Sequence, residues 1–118
     1  ADQVGCPTST LNLATACWTV ITNSREGLEL PPVLHWCDGG AASWYDVSVA
    51  VGELAMDLGL LQRAATVNPI STADYPTPAT RPGYSLLDCQ ASRQVLQLEA
   101  QPWRAALKDV LQAIPTNP

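Results

Sequence analysis

Leu11, Ala14, Trp18 and Ile21 recur at intervals of three and four residues, the spacing that gathers apolar groups on one face of a helix. The hydroxyls of Thr8, Ser9 and Thr10 precede them as N-cap groups, so a helix is predicted from about Ser9 to Asn23. Gly27 and the Pro31-Pro32 pair end it. Val33-Leu34-His35-Trp36-Cys37 is short and β-prone and reads as a strand, turned by Asp38-Gly39-Gly40. Ser43 followed by Asp46 resembles a capping box, with Asp in place of Glu or Gln. Val47, Val51, Leu54, Ala55 and Leu58 then line one face of a second helix, from about Trp44 to Leu58, with Gly59 as its stop. Residues Ala65 to Ile70 read as a second strand, and an irregular stretch runs from Ser71 to about Leu87. Asp88 caps a short helix through about Leu96. Pro102 opens a last helix from Trp103 to Ile114, with Leu107, Val110, Leu111 and Ile114 on its face. The tail, 115–118, is expected to fray.

Helices alternating with strands give an α/β pattern, but two strands are few for a free-standing sheet and both would have open edges. They read as pieces of a larger sheet whose other members lie elsewhere.

Composition narrows the picture. A chain of 118 residues fits one domain with a modest core. The net charge is −5 and the six basic residues are scattered, which argues against nucleic acid. No apolar run is long enough to span a membrane. The opening Ala-Asp-Gln carries no export pattern, and the four cysteines are widely spaced, so free thiols in the cytoplasm are expected. With one histidine they make a poor zinc set, and no metal site is expected.

Several stretches carry candidate chemistry. "CDGGAASWYD" sits where a phosphate loop would sit, yet it lacks both G-x-G-x-x-G and a Walker lysine, so a tight turn feeding a capped helix is the better reading. His35 lies mid-strand with no activated serine in sight and reads as a core or sheet histidine. Asp38, Asp46, Glu53 and Asp57 read as turn, cap and helix-face residues. "DQVGCPT" sets Gln3 and Thr8 among the turn-forming Gly5 and Pro7, as either a ligand-facing loop or a capped one. "YPTPATRPGYSLLDC" holds a lone Arg81 in a proline-stiffened segment. Arg81 there suits either a phosphate, which a guanidinium grips with two parallel bonds, or a surface pairing with Asp74.

Together these segments resemble the C-terminal part of the dTDP-4-dehydrorhamnose reductases, members of the extended short-chain dehydrogenase/reductase family. "DQVGCPT" is similar to the family's D-Q-x-G-x-P-T, and "LHWCDGGAASWYDVSVAV" to its strand, glycine turn and S-W-Y-[DE] helix start. "ISTADYPTPATRPGYSLLDC" is similar to P-x-P-T-x-A-x-R-P-x-x-S-x-L-D, and "QPWRAALKDVL" to the closing P-x-W-[RK]-x-x-L helix. Four motifs in order cover nearly the whole chain.

The resemblance implies an α/β fold: a small substrate-binding lobe plus the last helix and strand elements of a Rossmann-type domain whose N-terminal half is absent. It implies a dTDP-sugar as ligand, with Arg81 on its pyrophosphate and Gln3, Gly5, Pro7 and Thr8 facing the nucleotide. Asp88 falls on the family's L-D helix start and reads as a cap. The family's lysine in D-x-S-K has no counterpart in Asp88-Cys89-Gln90-Ala91-Ser92. The family reduces dTDP-4-dehydro-L-rhamnose with NADPH or NADH, through a glycine-rich dinucleotide turn and a Tyr-x-x-x-Lys pair. Neither motif occurs here, since Val49, Ala79 and Asp88 stand four places after the tyrosines and the only lysine is Lys108. The chain itself is therefore expected to bind no cofactor, to hold no catalytic residue, and to pair with the missing Rossmann half or a second copy. Other readings are a non-catalytic interaction or regulatory module of the same family, or a separate enzyme class using His35 or a cysteine.

Overall fold

A computed structural model describes residues 1–114. The expected fraying of 115–118 lies outside the described residues.

Four α-helices, a single 3-10 turn at Thr72–Asp74 and a minimal sheet make up the regular structure of the described residues. Helix α1 spans Thr10–Arg25 and α2 spans Trp44–Asp57. Helix α3 spans Gln90–Leu96 and α4 spans Trp103–Gln112. The ends of α1 and α2 follow the polar signals in the sequence. Ser9 Oγ accepts from the Leu11 amide at 3.2 Å to start α1. Ser43 and Asp46 close the capping box of α2: Asp46 N–H donates to Ser43 Oγ at 3.2 Å, and Ser43 N–H donates to Asp46 Oδ2 at 2.7 Å. Both helices stop in a Schellman motif, for which Gly27 (φ 84°) and Gly59 (φ 71°) supply the left-handed residue. After them Leu28 N–H reaches Asn23 O and Leu60 N–H reaches Ala55 O. Before α3, Asp88 Oδ1 accepts from the Gln90 amide at 2.9 Å, but the N-cap position falls on Cys89, one residue later than the sequence suggests, and has no side-chain cap.

The two strands expected at Val33–Cys37 and Ala65–Ile70 do not form. Neither segment has a ladder partner among the described residues. β-branched and aromatic residues mark a chain comfortable in extended geometry, but a strand also needs a neighbour to bond. The sheet instead joins β1, Val4–Gly5, to β2, Ala42–Ser43, antiparallel with Val4 opposite Ser43 and Gly5 opposite Ala42. Tyr84 bridges Val4 in parallel on the other side. A second parallel bridge, Gly39 to Pro102, docks the start of α4.

Small residues dominate the core. Ala50, Leu54 and Ala55 of α2 are buried, as are Ala106 and Leu111 of α4, which packs against it. Ala16 of α1 and Leu96 of α3, two helices in contact, are also buried, as is the adjoining pair Cys37 and Cys89. Much apolar surface stays outside. Trp18 is 67% exposed and Leu11 65%, so the stripe that predicts α1 faces outward. The radius of gyration is 17.0 Å, against about 13.5 Å for a self-contained domain of this length. His35 is exposed rather than held in a core or sheet, because the strand that would have enclosed it does not form.

The capping box makes a measurable prediction. Ser43→Ala should lower stability by about 1 kcal/mol, read as a shift of the urea midpoint. Hydrogen bonds from the Ser43 amide and hydroxyl hold the Asp46 carboxyl below its ordinary 3.8, and those from Ser71 do the same for Asp74. The Thr72 amide and hydroxyl lower Asp2 likewise. Groups depressed in the folded state contribute stability above their unfolded pKa and lose it as pH falls through the folded value. Helical circular dichroism should thus hold from pH 7 to about 4 and decline below, and Asp46→Ala should flatten that decline.

Candidate functional site

The segment Asp2–Thr8 is the hinge on which the site is built. Its first residues are tied to the turn after Ile70: Asp2 accepts from the Thr72 amide at 2.9 and 3.0 Å and from its hydroxyl at 2.9 Å. Gln3 Nε2 donates to Thr72 Oγ1 at 3.1 Å. Val4 is next, bonded through its amide to Gly83 O at 2.9 Å and through its carbonyl to Ser85 N at 2.8 Å. Those two bonds hang the proline-stiffened strip, with Arg81, beside the opening motif.

Gly5 leaves room for this close approach. A Cβ there would stand 2.9 Å from Ser85 Oγ. Gly5→Ala should push Ser85 aside, weaken its 3.3 Å bond to Val4 O, and cost about 1 kcal/mol on urea unfolding, with little change in helix content.

Asp38 fixes the far end of the segment. Its side chain is 1% exposed. Oδ2 accepts from the Ser9 amide at 2.8 Å and Oδ1 from Asn12 Nδ2 at 2.9 Å. Thr8 Oγ1 donates to Cys6 O at 3.1 Å and accepts from the Asp38 amide at 3.3 Å. The Thr8 hydroxyl therefore shapes the loop first, and it can still offer a lone pair outward.

These elements enclose a cleft of about 670 Å³. Gln3, Gly5, Pro7, Thr8 and Arg81 all line it, although Arg81 is 76 residues from Gly5 in sequence. Trp44, Val47 and Ser85 complete the walls. A neighbouring hollow of about 260 Å³ shares Gln3, Trp44 and Arg81 with it and extends to Tyr75 and Thr77.

Arg81 is exposed and makes no ion pair among the described residues. The alternative partner, Asp74, is occupied instead by Ser71, whose amide and hydroxyl donate to its Oδ2 at 2.8 and 2.7 Å. Among the described residues that line the main cleft, Arg81 is the one cation and there is no carboxylate. On a chain of net charge −5 that wall is locally suited to an anion.

The glycine-rich turn is not such a place. A Cβ on Gly40 would meet the Trp103 ring at 3.0 Å, and one on Gly39 would meet the Ala100 carbonyl at 3.4 Å. Both glycines pack against the start of α4, so they give no open cradle for a dinucleotide. No tyrosine or lysine lines the main cleft among the described residues. His35 and the exposed Cys17 do not line it either.

This arrangement brings together segments from both ends of the chain, and the whole stretch 1–115 matches the family model described as RmlD substrate binding domain. The chain belongs to this family. It is 32% identical over 111 residues to a dTDP-4-dehydrorhamnose reductase of Aggregatibacter actinomycetemcomitans, covering 93% of this chain and 38% of that protein. A crystal structure of a dTDP-4-dehydrorhamnose reductase from Clostridium acetobutylicum superposes with a TM-score of 0.76 at 32% identity, covering 94% of this chain and 37% of that one. The fold also matches the Bacillus anthracis dTDP-4-dehydrorhamnose reductase, solved in complex with NADP, with a TM-score of 0.74 at 24% identity, over 98% of this chain and 36% of that one. The chain thus spans less than two-fifths of these relatives. Among the described residues no helix is long and apolar enough to cross a membrane.

The family motifs locate the loop and the arginine. Trp44, Val47 and Ser85 emerge as cleft residues only in three dimensions. Trp44 is 70% exposed at the first position of α2, where a helix-face pattern has nothing to say about it.

Proposed function

We propose that this domain is the dTDP-sugar-binding portion of a dTDP-4-dehydrorhamnose reductase, which reduces dTDP-4-dehydro-L-rhamnose to dTDP-L-rhamnose with NADPH. The observation that carries the reading is the placement of Arg81: a guanidinium without an ion-pair partner on a cleft wall without a carboxylate. Its fork matches phosphate oxygens, so it takes the pyrophosphate. Gln3, Gly5, Pro7 and Thr8, on the lining of the same cleft, face the nucleotide. The cleft volume falls in the usual range for small-molecule sites.

Hydride transfer is outside the reach of these residues. The glycine turn is closed by packing, and neither a dinucleotide fingerprint nor Tyr-x-x-x-Lys occurs. Those groups belong to the nucleotide-binding half of the reductase, and a transition state is stabilised only by groups that are present.

A titration of the labelled domain with dTDP, followed by amide NMR, tests the reading. Shifts should saturate and concentrate at Gly5, Thr8 and Arg81, while NADPH added alone moves none of them. Absence of dTDP shifts at these amides would remove the cleft from consideration. Turnover of the nucleotide-sugar by the homogeneous 118-residue chain would refute the division of labour.

The outward apolar face of α1 supports a second reading, as an interaction module. Leu13, Ala14, Cys17, Trp18 and Ile21 line a shallow hollow there. In this reading the pairing surface is that face and not the strand edges expected from sequence. Light scattering separates the cases: concentration-dependent dimers favour a second copy, and a monomer that associates only with the nucleotide-binding half favours the reductase.

A further inference from the structure

The cleft does not use the sulfur chemistry beneath it. Cys37 and Cys89 are 52 residues apart, yet their sulfurs stand 3.5 Å from each other in the core. They are 6% and 3% exposed. Cys6, half-buried on the cleft wall, donates its thiol to the carbonyl of Asp38, the residue after Cys37, at 2.6 Å. Arg93 borders the group: its Nη2 donates to Cys37 O at 3.4 Å, and its buried Nε has no partner. Cys17 sits apart and exposed on α1.

We propose that Cys37 and Cys89 are a reversible disulfide site, reached by small oxidants through Cys6. Forming the bond closes the 3.5 Å contact to the S–S bonding distance of about 2.05 Å. The co-reactant is a low-molecular-weight disulfide such as oxidised glutathione. The Cys6 thiolate attacks one sulfur of that disulfide, whose S–S bond breaks and releases one small thiol. The Cys37 thiolate attacks the Cys6 sulfur and expels the second small thiol. The Cys89 thiolate then attacks the Cys37 sulfur and returns Cys6 to its thiol. Two protein thiols are oxidised and one small disulfide is reduced to two thiols, so protons and electrons balance.

The bond rests at Cys37–Cys89 because that pair is the buried one, shielded from external reductant. Burial pushes all three thiols up, and Arg93 works against that. The resting form is therefore the thiol. The link would join the two backbones that frame the opening motif. Cys37 adjoins Asp38, which holds Ser9. Cys89 lies four residues after Ser85, which holds Val4.

The test is native oxidation of the 118-residue chain with oxidised glutathione, alkylation of remaining thiols, and tryptic mapping. Trypsin places Cys6 and Cys17 in peptide 1–25, Cys37 in 26–63, and Cys89 in 64–93, since Arg81 precedes proline. The expected product is peptide 26–63 joined to 64–93, released by dithiothreitol. Cys17→Ser should leave its yield unchanged, and Cys6→Ser should slow its formation several-fold. The crosslinked form should melt on the order of 10 °C higher, because the bond closes a long loop of the unfolded chain. Products dominated by Cys17, glutathione adducts without the joined peptide, or a joined species that melts no higher than the reduced one would each overturn the proposal.

Discussion

Arg81→Ala is expected to weaken dTDP binding by about 10- to 100-fold, the loss of a charge-assisted pair of hydrogen bonds. The side chain is exposed and contributes no ion pair among the described residues, so its removal should leave the free energy of urea unfolding within about 0.5 kcal/mol of wild type. That separation makes the variant informative: an affinity change reports on the ligand and not on the fold. Arg81→Lys should recover only part of the affinity, because an ammonium supplies charge without the planar fork. Thymidine, which lacks the pyrophosphate, should bind both proteins alike. The experiment is a calorimetric titration of each variant with dTDP and with thymidine at low and high salt. Equal dTDP affinity for Arg81→Ala and wild type would take Arg81 out of the site. A drop in thymidine affinity as large as the drop for dTDP would assign it a different role.

The reach of the sequence depends on how local each determinant is. The helices are legible because their signals lie within a few residues: Ser9 before α1, Ser43 with Asp46 at α2, Gly27 and Gly59 after them. The ordered motifs single out Gln3, Gly5, Pro7, Thr8 and Arg81 as candidates, and the structure gathers these five on a single cleft. Pattern fails where pairing is non-local. Val33–Cys37 has the composition of a strand and no ladder partner, whereas Val4–Gly5 has almost no strand signal and is held from both sides. The stripe on α1 foretells a helix but not that Leu11 and Trp18 face outward, since periodicity gives a face and not what covers it. Cys37 and Cys89 meet across 52 residues, which no spacing rule reveals.

Asp38 is the sharpest case of a role hidden from local reading, and its loss should have the largest effect on stability. As a residue of an Asp-Gly-Gly run it reads as a turn former, and Asp38→Ala would then be mild. In the fold its carboxylate is buried and accepts from the Ser9 amide and Asn12 Nδ2, joining the turn before β2 to the first turn of α1. Alanine leaves the half-buried Ser9 amide without its carboxylate acceptor and leaves Asn12 Nδ2 with only Gln101 Oε1 at 3.2 Å. A hydrogen bond to a charged group contributes about 1.5–3 kcal/mol, so losing the two carboxylate contacts should cost about 3 kcal/mol. Against the 5–15 kcal/mol typical of a domain, that is a large share. Asp38→Asn keeps the shape but turns an amide toward a donor, and should recover less than half of the loss. The exposed Asp57→Asn, with no ion-pair partner among the described residues, should stay within about 0.5 kcal/mol of wild type. Urea unfolding gives the stabilities. Amide exchange locates the damage, with Ser9 and the first turn of α1 losing protection while α2 and α4 keep theirs. If Asp38→Ala unfolds at the same urea concentration as Asp57→Asn, the carboxylate is only a turn residue. The anchoring of the opening motif must then come from the Thr8 hydroxyl and the Asp38 backbone, which remain bonded in the variant.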